Sequence, residues 1–138
     1  TFCILFFLLS TFCSLLSLSS VAIAAPKTDE LAKRQEMLRI AANLKESIKQ
    51  TPKKVDLYVQ LGFIYSKLKN INEAQKAFER AVKLDPKKAK AHFMLGLIYE
   101  KKKLNKRAIA AWQACLDNTT DKKTRATAFK HLRFLRAK

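Results

Sequence analysis

The sequence predicts an all-α chain: a short solenoid of two helix hairpins, flanked by an N-terminal and a C-terminal capping helix. Three observations lead there. First, the stretch from Val55 to Asp121 repeats itself. Tyr58, Leu61, Gly62 and Tyr65 are echoed by His92, Leu95, Gly96 and Tyr99, and Ala74, Phe78 and Ala81 by Ala108, Trp112 and Cys115, every pair 34 residues apart. A fixed period of that size marks a stacked repeat. Second, Tyr58, Leu61, Gly62 and Tyr65 fall at i, i+3, i+4 and i+7 and form one stripe of a first helix. Ala74, Phe78 and Ala81 form a stripe on a second helix, and the two stripes must face each other. Third, each flanking segment carries a single apolar stripe of its own, which is what the ends of a stack require.

The first copy carries an aromatic Tyr58, the pair Leu61-Gly62, Tyr65, Ala74, Phe78, Ala81 and a closing Pro86. This pattern resembles the tetratricopeptide repeat family at every signature place. The second copy keeps Leu95-Gly96, Tyr99, Ala108 and an aromatic at Trp112, and departs at His92, Cys115 and Thr120. The resemblance implies a right-handed superhelix of helix hairpins that works as a non-enzymatic protein-interaction module. It covers two full repeats, about half of the chain.

Residues 1–24 read as a secretory signal. No charge of either sign precedes Lys27, and the apolar run ends in Ala22-Ile23-Ala24-Ala25-Pro26, with small residues suited to cleavage after Ala24. The chain opens at Thr1 without a positive leader, so its start reads as truncated. Residues 2–25 are also long enough to span a bilayer if they are retained, and Lys27, Lys33 and Arg34 would then favour an anchor. Export, secreted or periplasmic, is therefore the expected destination, with a membrane anchor as the alternative. Cys3 and Cys13 would leave with the signal, and Cys115 alone cannot form an intramolecular disulfide.

Residues 25–54 hold a helix predicted from Leu31 to Gln50. Thr28-Asp29-Glu30 supply its cap and first-turn acids, and Met37, Ile40, Ala41, Leu44 and Ile48 keep a helical rhythm. Counting back 34 from Ala74, Phe78 and Pro86 lands on Ile40, Leu44 and Pro52, so this helix reads as half of a leading repeat. Residues 55–88 pair helices at about 55–68 and 71–84, and residues 89–121 pair helices at about 89–102 and 106–116. Neither repeat has Gly at its inner turn. Asn70 and Asn105 are the expected turn formers, because Asn tolerates a left-handed backbone. Leu104 sits one place earlier relative to Ala108 than Ile71 does to Ala74, which predicts a slightly different second turn. Residues 122–138 form the last helix, with Ala128, Phe129, Leu132 and Leu135 on its inner stripe.

No phosphate-binding Gly loop, paired carboxylates or metal-ligand cluster is visible, so the sequence offers no cofactor, metal or catalytic site. His92 and His131 lie on different helices and read as packing or surface residues. In stacks resembling this one the first helix of each repeat lines a concave face. The groove residues expected there are Val59, Phe63, Ser66, Lys90, Phe93, Leu97 and Glu100. Its floor is apolar and suits an amphipathic helix or an extended hydrophobic peptide. It does not resemble the subtype that clamps acidic C-terminal tails, because Val59 and Phe63 stand where Lys and Asn would be needed.

The 28 basic and 11 acidic residues leave a net charge of +17. Lys67, Lys69, Lys101, Lys102, Lys103 and Arg107 collect at the turns within repeats, and Lys87 and Lys88 at the join between them. These basic edges would concentrate anionic partners over the short reach that salt allows. Two alternatives to the adaptor therefore stand: an envelope- or membrane-surface protein acting through its Lys edges, and a signal-anchored subunit of a membrane complex. Nucleic acid is disfavoured, because the aromatics are assigned to the core and Arg is scarce for base reading.

Overall fold

A computed structural model of the protein describes the backbone of residues 25–137 and the side chains of residues 28–137. The proposed signal, its cleavage after Ala24, and Cys3 and Cys13 lie outside the described residues. Among the described residues six helices follow one another: α1 (Ala25–Gln50), α2 (Val55–Lys67), α3 (Ile71–Leu84), α4 (Ala89–Lys101), α5 (Asn105–Asn118) and α6 (Lys122–Arg136). The contacts divide the chain into two compact units, one ending at Met37 and the other running from Leu38. Among the described residues no strand is present.

In the second unit α2 packs on α3, α4 on α5, α3 on α4 and α5 on α6. The predicted stripes make this packing. Ala74, Phe78, Ala81, Ala108, Trp112 and Cys115 are fully buried. The two glycines explain how closely the helices approach. A Cβ on Gly62 would stand 2.7 Å from the Phe78 ring, and one on Gly96 would stand 2.6 Å from the Trp112 indole. The aromatic of each second helix thus occupies the space that a side chain on the first helix would fill.

The inner turns differ from expectation in an instructive way. The left-handed residues are Lys69 (φ 60°) and Lys103 (φ 58°), not Asn70 and Asn105. Asn70 instead caps α3, its side chain accepting a bond from the Glu73 amide at 3.3 Å. The two turns also superpose in register. Lys69 N–H donates to Ser66 O and Asn70 N–H to Tyr65 O; Lys103 N–H donates to Glu100 O and Leu104 N–H to Tyr99 O, the same bonds one repeat later. This Schellman pattern closes the orphan carbonyls at each helix end. The predicted difference in the second turn is therefore confined to cap chemistry: Leu104 takes the N-cap place of Asn70 and offers no side-chain bond.

At the chain ends, α1 begins at Ala25, ahead of the expected Leu31, so Thr28-Asp29-Glu30 lie inside it and do not cap it. Asp29 pairs with Lys33 at 2.6 Å along the helix surface. Of the expected α1 stripe, Ala41 is buried and Met37, Leu44 and Ile48 are half-buried, while Ile40 falls outside it at 36% exposure. At the other end the α5–α6 join is short and ordered. Asp121 caps α6 by accepting from the Thr124 amide at 2.7 Å, and Arg125 Nη1 donates to Leu116 O at 3.0 Å.

Candidate functional site

A groove of about 490 Å³ lies along α2 and α4 and is closed at one end by the α5–α6 join. Phe63 comes from α2; Ala89, Lys90, Phe93 and Met94 come from α4; Thr119, Asp121 and Thr124 come from the join and the start of α6. The floor is two phenyl rings anchored from beneath. Phe63 meets Phe78 edge-on at 5.3 Å and 82°, and Phe93 meets Trp112 edge-on at 5.1 Å and 90°. Each ring thereby rests on the buried aromatic that its own repeat's glycine admits. Above Phe63 stands the Lys90 ammonium, 5.0 Å from the ring centroid, a cation–π contact that places a positive charge over an apolar floor. Asp121, at the join, is an ionised carboxylate turned to its own helix. Bonds from the Thr124 hydroxyl and amide hold it below the usual carboxylate range.

Three of the seven predicted groove residues, Phe63, Lys90 and Phe93, come together here. Leu97 is 37% exposed and Ser66 is half-buried, its hydroxyl donating to Gly62 O at 2.9 Å; neither lines the cavity. Two placements need correction. Val59 is only 5% exposed and belongs to the core, since α2 turns this position inward. Glu100 is not a free rim charge: its Oε1 accepts from the Trp112 indole N–H and faces His131 Nδ1 at 2.8 Å. His131 also stacks on Trp112 at 4.6 Å and 20°. This cluster ties α4, α5 and α6 together. Ala89, Met94, Thr119, Asp121 and Thr124 were not singled out from the sequence as groove residues; the turn-forming run Asp117-Asn118-Thr119-Thr120-Asp121 was the one available signal for Thr119 and Asp121.

Two further bonds repeat at the same period. Tyr58 OH donates to Pro52 O at 2.9 Å, and His92 Nε2 stands 2.7 Å from Pro86 O in the corresponding place. His92 departs from the first copy in residue type but keeps its hydrogen bond. Family models described as tetratricopeptide repeat match residues 55–88 and residues 77–113. This chain is a tetratricopeptide-repeat protein. A comparison with curated proteins returns no match. Among solved structures, MamA aligns at 23% identity and a TM-score of 0.66 over 79% of this chain and 62% of its own. The chain thus spans about three fifths of MamA's length. The tetratricopeptide domain of Arabidopsis OM64 aligns at 22% identity and 0.65, over 81% and 93% of the two chains. The first such domain of Spaghetti (RPAP3), bound to the HSP90 peptide SRMEEVD, aligns at 16% and 0.65, over 83% and 89%. At these identities the likeness carries the all-α solenoid fold.

Within the repeats, the basic edges are partly occupied by internal contacts. Lys88 Nζ pairs with Asp56 at 2.6 Å, pulling the Asp56 carboxyl below its ordinary range. Lys102 Nζ donates to Gln75 Oε1 at 2.6 Å, and the Arg107 guanidinium stands 5.8 Å from the Tyr99 ring centroid. Lys67, Lys69, Lys87, Lys101 and Lys103 are exposed. Cys115 is fully buried, and burial pushes its thiol up from the ordinary value, which leaves it a packing residue. Among the described residues no metal-binding cluster is present, and no helix is long and apolar enough to cross a membrane.

Proposed function

We propose that this tetratricopeptide-repeat protein is a non-enzymatic adaptor that holds a partner polypeptide in the groove over Phe63 and Phe93. The observation that carries the reading is the 490 Å³ cavity whose floor is two anchored phenyl rings and whose rim bears the Lys90 ammonium. Such a site takes an apolar side chain from a helical or extended segment, with an acidic neighbour beside it for Lys90. The neighbouring RPAP3 domain, solved with SRMEEVD, supports a peptide as the class of ligand. Here Val59 is buried and Phe63 carries a ring where the clamp subtype needs polar side chains. A tail of the SRMEEVD kind is therefore expected to bind weakly, and a hydrophobic segment tightly.

The test separates groove from core. Ala89→Trp fills the cavity from the half-buried start of α4, and Lys90→Glu reverses the exposed rim charge, and neither removes a fully buried side chain. Both should abolish capture of partner segments from the native compartment while leaving helicity and melting unchanged. Capture that persists in Ala89→Trp would sink the reading. We further propose that the chain acts outside the cytoplasm after removal of residues 1–24; N-terminal sequencing of native material should then begin at Ala25, and a retained leader would point to the anchored alternative.

A further inference from the structure

The outward face of α6 is a different surface from the groove, and its chemistry is more specific than a basic composition. Ala128, Leu132 and Leu135 are buried against the stack, at 0%, 3% and 7% exposure. Phe129, expected on the inner stripe, is instead 58% exposed, because it lies about 100° around the helix from Ala128, and Phe134 on the same helix is 56% exposed. At 3.6 residues per turn, Lys122, Ala126, Lys130 and Arg133 fall on the arc between these two rings, opposite the buried stripe. All four are exposed. The helix carries Lys122, Lys123, Arg125, Lys130, Arg133 and Arg136 and no acidic residue. Arg125 and Arg136 flank the buried stripe and are held by α5, through Leu116 O at 3.0 Å and Gln113 Oε1 at 3.1 Å. The nearby acids are likewise committed: Asp121 to the α6 N-terminus, Glu100 to Trp112 and His131, and Asp117 to Gln113.

We infer that this face docks on an anionic phospholipid surface, with Lys122, Lys130 and Arg133 at the headgroups and Phe129 entering the interfacial layer. Charge complementarity decides the occupant. A second copy of the chain would set one acid-free cationic helix against another. A protein partner would need a concavity to seat, and the two rings here project from the outside of a single helix with cations between them. A headgroup layer imposes no such fit. It attracts each cation, and it accepts aromatic rings that lie beside them.

The experiment uses the full chain with vesicles of phosphatidylcholine alone and of phosphatidylcholine with phosphatidylglycerol, read by sedimentation across a salt series. Residues 2–24 carry no charge and are expected to contribute equally to both vesicle types, so the difference between them reports the cationic face. That difference should fall with salt and weaken about fivefold for each cation lost from the face, vanishing in Lys122→Glu/Lys130→Glu/Arg133→Glu. It should survive Lys67→Glu/Lys101→Glu/Lys106→Glu, which changes the net charge equally at the turns. It should also survive Ala89→Trp, which separates it from the groove reading. In Phe129→Trp, the new indole should shift its emission to the blue on the anionic vesicles. Equal loss in both charge-reversed variants, or no emission shift, would overturn the inference. So would binding to polyglutamate without binding to vesicles, which would assign the face to an acidic polypeptide.

Discussion

Gly96→Ala adds one methyl group at the tightest contact between α4 and α5. The new Cβ would lie 2.6, 2.7 and 3.0 Å from three atoms of the Trp112 indole. Ala itself favours a helix interior over Gly by about 1 kcal/mol, so a spacious site would be stabilised. This site is not spacious. Trp112 is fully buried, meets Phe93 edge-on at 5.1 Å, is stacked on His131 at 4.6 Å, and donates its N–H to Glu100. The ring cannot slide without breaking one of those contacts, so α4 and α5 must separate. Overpacking of this kind costs roughly 1–3 kcal/mol, and a ring held on three sides belongs at the upper end. After the propensity gain, the net loss is about 2 kcal/mol. Urea unfolding followed by circular dichroism and Trp fluorescence reads it directly. With a slope of roughly 1–3 kcal/mol per molar for a small protein, the midpoint should fall by about 1 M. An unchanged or raised midpoint would show that Trp112 has room to move, and the close-approach argument for both glycines would fail.

Other consequences are equally open to measurement. Gly62→Ala meets Phe78 at 2.7 Å, but that ring has an edge contact with Phe63 and, among the described residues, no stacked partner, so its loss should be smaller than that of Gly96→Ala in the same assay. Lys103→Gly and Lys69→Gly relieve a left-handed backbone, and each should raise the thermal midpoint, by about 1 kcal/mol of stability; no change would mean that the turn carries no strain. Glu100→Leu leaves the Trp112 N–H without its acceptor and His131 without its partner, at a cost of about 1–3 kcal/mol. Hydrogen exchange should then speed up first in α6, and uniform exchange would argue against the tie. Burial and the bond to Glu79 push Tyr99 up to about 12, above the value near 10 for a free phenol. The unfolded chain therefore loses this proton first, and stability should be complete below about pH 10 and decline toward pH 12. Tyr99→Phe should flatten that decline, and an unaltered profile would exclude Tyr99 as its source.

The hairpins were legible because the residues that build them recur at a fixed period and are small or aromatic for a local steric reason. Ala74, Phe78 and Ala81 share one helical face, and Gly62 and Gly96 stand where an aromatic must pass. The candidate groove was half legible. Phe63 and Phe93 follow from helical phase, but Val59 shares that phase and is buried nonetheless, because a few degrees of rotation of α2 against its neighbours decide exposure. The turns misled for a related reason. Asn is the better left-handed residue in isolation, yet the carbonyls of Tyr65 and Tyr99 need a donor two places after the helix cap. That requirement puts Lys69 and Lys103 in the strained position whatever their preference.

By itself the sequence determined the helices of the two repeats, their register and the Ala-aromatic-Ala stripes that pair them, since these depend on contacts within some 34 residues of chain. Tertiary structure alone decided which aromatic rings remain open to a ligand, that Glu100 is drawn inward by Trp112 and His131, and that α6 presents cations between two exposed rings. Each of these depends on how neighbouring helices are rotated and spaced. Residues far apart along the chain set that jointly, and no single stretch of it encodes the result.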